Sequence, residues 1–272
     1  MSANSVALAP AFRTARITAL GELLSPGRIT ATAIRLGIQV LLVVWLWRAL
    51  YQDTTSSAGL VKEQAVGYAV LAVLATRLRE TTRFLARDTV IQHMYFGTIV
   101  YWFLRPVSPR RYYLLRALGD QAYGFAWAAA GYLLCRLSGV LQPPVSAKAA
   151  AAFLLSLLLG QSLLYYLMLL IDQSCFWMVR NNAALLILLF AQNLLSGAYA
   201  PLYYFPGWFQ AISDVLPFQY TLGVPLSLYV GRLPLSALPG LVAVQLAWGL
   251  FFAVLTRLLW RRAAERVVSQ GG

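Results

Sequence analysis

"SGAYAPLYYFPGWFQAISDVLPFQY", Ser196–Tyr220, follows directly on a strongly apolar segment and carries Pro201, Pro206 and Pro217 with Gly197 and Gly207 between them. It is too apolar for an ordinary loop and too broken for a membrane-spanning helix. Irregular backbone at membrane depth is tolerated only where protein or water satisfies its peptide groups. The stretch therefore predicts a broken re-entrant or interfacial hairpin. Pro201 ends one helix, Pro206 and Gly207 precede a short helix over Trp208–Leu216, and Pro217 stops it. Trp208, Phe209, Ile212, Leu216 and Phe218 are apolar while Gln210, Ser213 and Asp214 are polar. Such a half-wet helix suits the membrane interface, where tryptophan and tyrosine concentrate. Pro225, Gly231 and Pro234 keep the return from becoming another span. A surface loop with an aromatic anchor is the other reading of the same residues.

Composition sets the context. Of 272 residues 60% are hydrophobic and 11% charged, with a mean hydropathy of +0.66, which is the balance of an integral membrane protein. Residues 1–32 contain no apolar core ending in a small-residue cleavage site. About 20 apolar helical residues cross a bilayer core. Ala33–Tyr51, Leu114–Cys135, Ala149–Ile171, Ala183–Ala200 and Leu238–Trp260 meet that test. Gln64–Leu78 is shorter and is tipped by Arg77 and Arg79, and accepting it gives six spans. The expected fold is an all-α membrane protein. Its expected parts are a cytoplasmic N-terminal segment (1–32), a six-span domain (33–260) with an extracellular hairpin (201–236), and a cytoplasmic tail (261–272).

The net charge of +13 would suggest nucleic acid in a soluble protein, but here its distribution matters more. With the N-terminus in the cytoplasm, 17 Lys and Arg fall inside and five outside: Arg48, Lys62, Arg136, Lys148 and Arg232. The positive-inside rule then places both termini in the cytoplasm. The charge reads as topology, and nucleic acid is not expected as a partner. Cys135 and Cys175 fall on opposite sides of the bilayer and form no disulfide framework or metal cluster.

Two segments lie outside a simple bundle. Residues 7–27 place Phe12, Ile17, Leu20 and Leu24 on one helical face and Arg13 and Arg16 on another, as in an amphipathic helix on the cytoplasmic interface or in a partly disordered leader. The connection Arg79–Tyr113 mixes arginines with Phe84, Ile91, Tyr95, Ile99, Trp102 and Phe103. It reads either as a docking surface for a cytoplasmic partner or as a basic cluster whose apolar residues meet lipid headgroups.

Missing chemistry narrows the function. The chain lacks GxxxxGK[ST] and HExxH, and its one histidine, His93, has no ligand-spaced histidine or cysteine neighbour. No metal and no cofactor is expected on this chain. The middles of the spans lack the acids of ion-coupled carriers, since Asp120 and Asp172 fall near cytoplasmic ends. Polar residues at depth are neutral: Gln39, Gln161, Ser162, Gln192, Asn193 and Gln245. They serve either as interhelical hydrogen-bonding groups or as the lining of a substrate path. A carrier without an ion relay or an ATP site needs an external motor. A membrane scaffold or an intramembrane enzyme is the competing class.

Taken together, the six spans, amphipathic entry helix, long cytoplasmic connection and broken hairpin resemble the permease subunits of type-two ABC exporters. Two stretches carry the resemblance: "GTIVYWFLRPVSPRRYYLLRALGD" (Gly97–Asp120) and "LLSGAYAPLYYFPGWFQAISDVLPFQYTLGVPLSLYVGRL" (Leu194–Leu233). The second contains Ser-Gly, Pro-Leu, Phe-Pro-x-Trp, Leu-Pro-Phe and a late Pro…Tyr-x-Gly. The resemblance implies a bacterial inner-membrane subunit that pairs with a second permease, identical or related, and with two cytoplasmic ATPases that hold ATP and Mg. It implies a coupling helix within Arg79–Arg105, with Arg87, Asp88, Ile91, Gln92 and Tyr95 as contacts. It makes Pro201, Phe205, Pro206, Trp208, Phe209, Pro217 and Phe218 an extracellular gate. Span five would lie near the dimer seam, and Gln161, Gln192 and Asn193 would line the path of an amphipathic cargo such as a drug, peptide or lipid.

Overall fold

The computed structural model describes residues 26–84, 93, 96, 98, 109–178 and 182–270. The segment 7–27, apart from its last two residues, lies outside them, as do Arg87, Asp88, Ile91, Gln92 and Tyr95. Five long helices, one of 14 residues and a hairpin with two short helices make up the described fold: α1 (Pro26–Leu50), α2 (Lys62–Phe84), α3 (Pro109–Leu137), α4 (Ala147–Ser174), α5 (Asn182–Leu195), α6 (Gly207–Val215), α7 (Gly223–Tyr229) and α8 (Leu238–Gln270). By length and apolarity, Pro26–Leu50, Ala147–Ser174 and Leu235–Ala263 are able to cross a membrane; Ala183–Leu195 is apolar but shorter. α2 and α3 have the length, with 23 and 29 residues, but not the apolarity.

The packing explains the weakness of α2 in hydropathy. It contacts α1, α3, α7 and α4, and Ala65, Tyr68, Val70, Ala72, Leu74, Ala75 and Leu78 are all buried. Alanines let neighbouring backbones approach, as membrane helix contacts require. A helix shielded by protein on most sides need not be as apolar as one facing lipid. α1 is the converse, with Leu41, Leu42 and Trp45 at 60–74% exposure.

Every connection at the hairpin end is tied down. α1 and α2 are joined by a ribbon in which Ser56–Ser57 pairs antiparallel with Leu60–Val61. Its two-residue turn, Ala58–Gly59, has both φ values positive, at 52° and 74°, the backbone that matches strand twist. The Tyr51 hydroxyl reaches the ribbon carbonyl of Leu60 at 3.2 Å and pairs with the Tyr204 hydroxyl of the hairpin. Gln64 receives Val61 N–H and donates to the Val230 carbonyl at 2.9 Å. At the opposite end Trp260 packs edge-on against Tyr113 and Phe176. α4 lies along α8 and α7, and α8 continues as helix past Arg261 and Arg262 into the expected tail.

α5 departs from expectation. Pro201 was to end it, but it stops at Leu195. Gly197 takes φ +75° and its carbonyl accepts the Tyr68 hydroxyl at 3.2 Å. A Cβ at Gly197 would stand 2.5 Å from that hydroxyl oxygen, so the turn is set by glycine rather than proline. The described helix has 14 residues, about 21 Å, short of the roughly 30 Å of a bilayer core.

Candidate functional site

After the Gly197 turn, Pro201 caps a single 3-10 turn, Leu202–Tyr204, and Pro206 caps α6. α6 lies within one residue of the helix expected from its flanking prolines. A 3-10 turn, Gln219–Thr221, then leads into α7. Every residue from Tyr220 to Val230 is buried, so the return is a plug between α2 and α4 rather than a surface loop. Pro225 is tolerated because it sits in the first turn of α7, where its missing N–H has no helical partner to lose.

The expected gate residues divide. Pro201 and Pro217 are buried supports; Phe205, Phe209 and Phe218 are half-buried; Pro206 and Trp208 are exposed. Phe205 and Phe209 stack with ring centres 4.6 Å apart.

α6 presents its apolar side outward. Trp208, Ile212 and Val215 are 47–72% exposed, whereas Ser213 is fully buried and Gln210 donates to the Phe205 carbonyl at 2.8 Å. In water this would be inverted; at a membrane surface it puts Trp208, Ile212 and Val215 into lipid and turns Ser213 and Gln210 towards protein, while Asp214 stays exposed and accepts from Gln219 at 2.9 Å. Beneath α6 lies a cavity of about 300 Å³ lined in part by Tyr68, Tyr203, Gln210, Asp214, Tyr220 and Ser227. The Tyr203 hydroxyl donates to Ser227 Oγ at 2.9 Å, and Tyr220 donates to the Asp214 carbonyl at 3.0 Å. Burial raises the pKa of Tyr203, keeping that hydroxyl protonated. Arg232 lies over its ring at 4.8 Å.

Deeper than this cavity, α4 meets the hairpin at a close backbone crossing. A Cβ on Gly160 would stand 2.8 Å from the carbonyl oxygens of both Tyr220 and Thr221. Polar side chains collect around this crossing. Gln192 donates to Thr221 Oγ1 at 2.6 Å, and Thr221 donates to the Phe218 carbonyl at 2.7 Å. Gln245 of α8 donates to the Tyr220 carbonyl at 2.8 Å and the Ser156 carbonyl at 2.9 Å, while its oxygen accepts the Ser156 hydroxyl at 3.3 Å. Gln161, next to Gly160, is 1% exposed, and neither atom of its amide has a hydrogen-bond partner among the described residues. The Gln192 oxygen likewise lacks one.

Of the expected path residues, Gln192 thus reaches the hairpin at Thr221, and Gln161 is buried next to Gly160, the residue of α4 that the hairpin crosses. Asn193 is half-buried, and its carbonyl accepts Ala198 N–H at 3.1 Å as α5 ends. Ser162 is exposed and bonds back to Leu159. Gln245 belongs to the fastening of α8 onto α4. Sequence reading did not single out Thr221, Ser156 or Tyr68; the adjacency of a glycine to Gln161 was the one local hint of a close crossing. Asp120 is also buried, at 1% exposure. It stands 11 residues into α3 because that helix begins at Pro109, so it lies further from the helix end than expected. His93 Nδ1 and Thr98 Oγ1 are 2.8 Å apart, and no group of three or more metal-ligating side chains occurs among the described residues.

The family model described as ABC-2 family transporter protein matches residues 37–271. No curated protein and no solved structure matches the chain.

Proposed function

Because the chain belongs to the ABC-2 family of transporter proteins, we propose that it is the permease subunit of an ATP-driven exporter that moves an amphipathic substrate out of the cytoplasm or inner leaflet. Two cytoplasmic ATPase subunits bind ATP and Mg and supply the work. A second permease, identical or related, completes the path. The subunit sits in a bacterial inner membrane with six spans and both termini cytoplasmic, an orientation supported by the five cations that mark the hairpin end. α5, with Leu186, Ile187 and Phe190 at 62–70% exposure, has an apolar face for the seam with that second permease.

The observation that carries this reading is the buried amide cluster under the hairpin plug. A buried amide left without a partner costs about 1–3 kcal/mol, and Gln161, whose amide has none among the described residues, stands next to Gly160, where the plug meets α4. Its amide is suited to hydrogen-bond the polar part of a passing amphipath, with the Gln192 oxygen as a second acceptor. ATP binding closes the ATPases, which pull on the connection between α2 and α3. The helices shift, the plug and α4 separate, and the substrate leaves past α6. Such coupling requires the two arrangements to differ in their affinity for ATP.

Co-purification with an ATPase tests the assembly. Substituting Arg87, Asp88, Ile91, Gln92 and Tyr95 should abolish stimulation of that ATPase. If docking and stimulation survive every one of these changes, the coupling assignment fails.

A further inference from the structure

α3 packs mainly on α2, and α4 on α8 and α7. The two helices flank a crevice of about 240 Å³, lined almost wholly by carbon. Leu71, Leu74, Ala75 and Leu78 of α2 form its floor and are at most 5% exposed. Phe125 and Tyr132 of α3 stand on one side, Phe153 and Leu157 of α4 on the other. Space remains because Ala128, Ala129 and Ala150 occupy wall positions where larger residues would fill it. Leu154, 53% exposed, stands at the mouth, so the crevice faces lipid.

One end is polar. The Tyr132 and Tyr229 hydroxyls are 3.0 Å apart, and Tyr229 donates to the Gln142 carbonyl at 2.9 Å. Arg136 lies one helical turn beyond Tyr132 on the same face of α3. It donates to the adjacent carbonyl, Leu141, at 2.6 Å, which uses one of five guanidinium N–H groups.

We propose that this crevice binds one acyl chain of a phospholipid, with the lipid phosphate held by Arg136 at the hairpin end. Size decides the occupant. A single turn of a partner helix needs roughly 400 Å³ even at the narrow end of helix diameters, more than the crevice offers. Space of about 150 Å³ in an apolar protein site suffices for benzene, so a section of an extended hydrocarbon chain fits, the rest of the chain lying in the bilayer. The order of groups also matches a lipid: hydrocarbon lining, then tyrosine hydroxyls at interface depth, then a cation. The bound chain fills the gap between α3 and α4 and so joins the α1–α3 side of the bundle to the α4–α8 side. It belongs to the leaflet at the hairpin end, which is the outer leaflet on the orientation proposed above.

The test uses the full chain alone in phosphatidylcholine nanodiscs, with a trace of phosphatidylglycerol carrying a diazirine in mid-chain, and maps the adducts by peptide mass spectrometry. Adducts should concentrate on 125–132 and 150–157 relative to the exposed α1 face at Leu41, Leu42 and Trp45. Ala128→Phe and Ala150→Phe, on opposite walls, should each cut crevice adducts about fivefold and leave α1 adducts unchanged. If one variant fails to insert, as judged by lost α1 labelling, the other decides. Arg136→Gln should lower labelling by the phosphatidylglycerol probe about threefold and spare a diacylglycerol probe with the same tail. Even labelling of α1 and the crevice, or adducts indifferent to both filling substitutions, overturns the site. Equal behaviour of the two probes towards Arg136→Gln overturns the phosphate contact. Because no ATPase is present, the result stands apart from the transport reading.

Discussion

Two buried glutamines belong to the region where α4 meets the hairpin, Gln245 bonded to the hairpin and Gln161 next to Gly160 in α4, and they are treated in opposite ways. Gln245 is 1% exposed and bonded through both amide atoms to Ser156 and Tyr220. Gln161 is equally buried and, among the described residues, bonded through neither. The first is a fastener that joins α8, α4 and the hairpin in one arrangement. The second gives no such return for its burial, and an apolar side chain of similar shape would suit a purely structural role better. The difference separates what holds the assembly together from what is available to a cargo.

Gly160 gives the largest expected effect, because the crossing of α4 and the hairpin depends on it. Gly160→Val should destabilise by about 3 kcal/mol or prevent folding, since the added carbons collide with backbone rather than with yielding side chains. Unfolding in mixed micelles measures this, and an unchanged midpoint would mean that the crossing is looser than described. Gln245→Leu comes next, at about 2 kcal/mol, because it takes away the partner that Gln245 gives to the buried Tyr220 carbonyl and Ser156 hydroxyl. Ser156→Ala combined with it should show strong non-additivity in the same assay.

Gln161→Leu should behave in the opposite sense. Stability should hold or rise by up to about 1 kcal/mol, while substrate-dependent transport falls sharply. A loss of stability like that of Gln245→Leu would sink the contrast between the two residues. The smallest effect concerns access. Gly207, at the start of α6 and off its apolar face, is exposed, and a Cβ there meets nothing within 4 Å, so Gly207→Cys should react with an impermeant maleimide added outside intact cells at neutral pH. Reaction only in inverted vesicles would reverse the topology. The native thiols should stay silent: Cys135 and Cys175 are buried. Burial first, and the Asp172 carboxylate second, push the Cys175 thiol up to about 12. Since the thiolate is the nucleophile, labelling of Cys175 by a membrane-permeant reagent should still be rising at a pH where an exposed cysteine, with a pKa of about 8.5, has levelled off.

How much of this was readable beforehand differs by element. α6 was legible because Pro206, Gly207 and Pro217 punctuate it on both sides. Its orientation was not, since amphipathicity identifies two faces but only the surroundings say which faces lipid. α5 misled because Pro201 is the louder signal, while the actual stop at Gly197 depends on Tyr68, 129 positions away. α2 looked weakest in hydropathy because its neighbours do the shielding. Gln161 and Gln192 stood out as polar residues in apolar runs, but Thr221, which meets Gln192 across 29 positions, had no local signature. The Ser56–Val61 ribbon went unseen because its strands are two residues long and half of it is serine and glycine.

That buried second helix has a consequence for biogenesis. A ribosome delivers α2 to the membrane before α3, α4 and α7 exist to surround it, and its apolar run, Gln64–Leu78, is the shortest of the six expected spans. α1 and the tight Ser56–Val61 turn are already made by then, so the two helices enter as a pair, with α1 supplying the apolar surface that α2 lacks. In a glycosylation-mapping assay the α1–α2 fragment should integrate with both helices across the membrane, and α2 placed alone in a host protein should not.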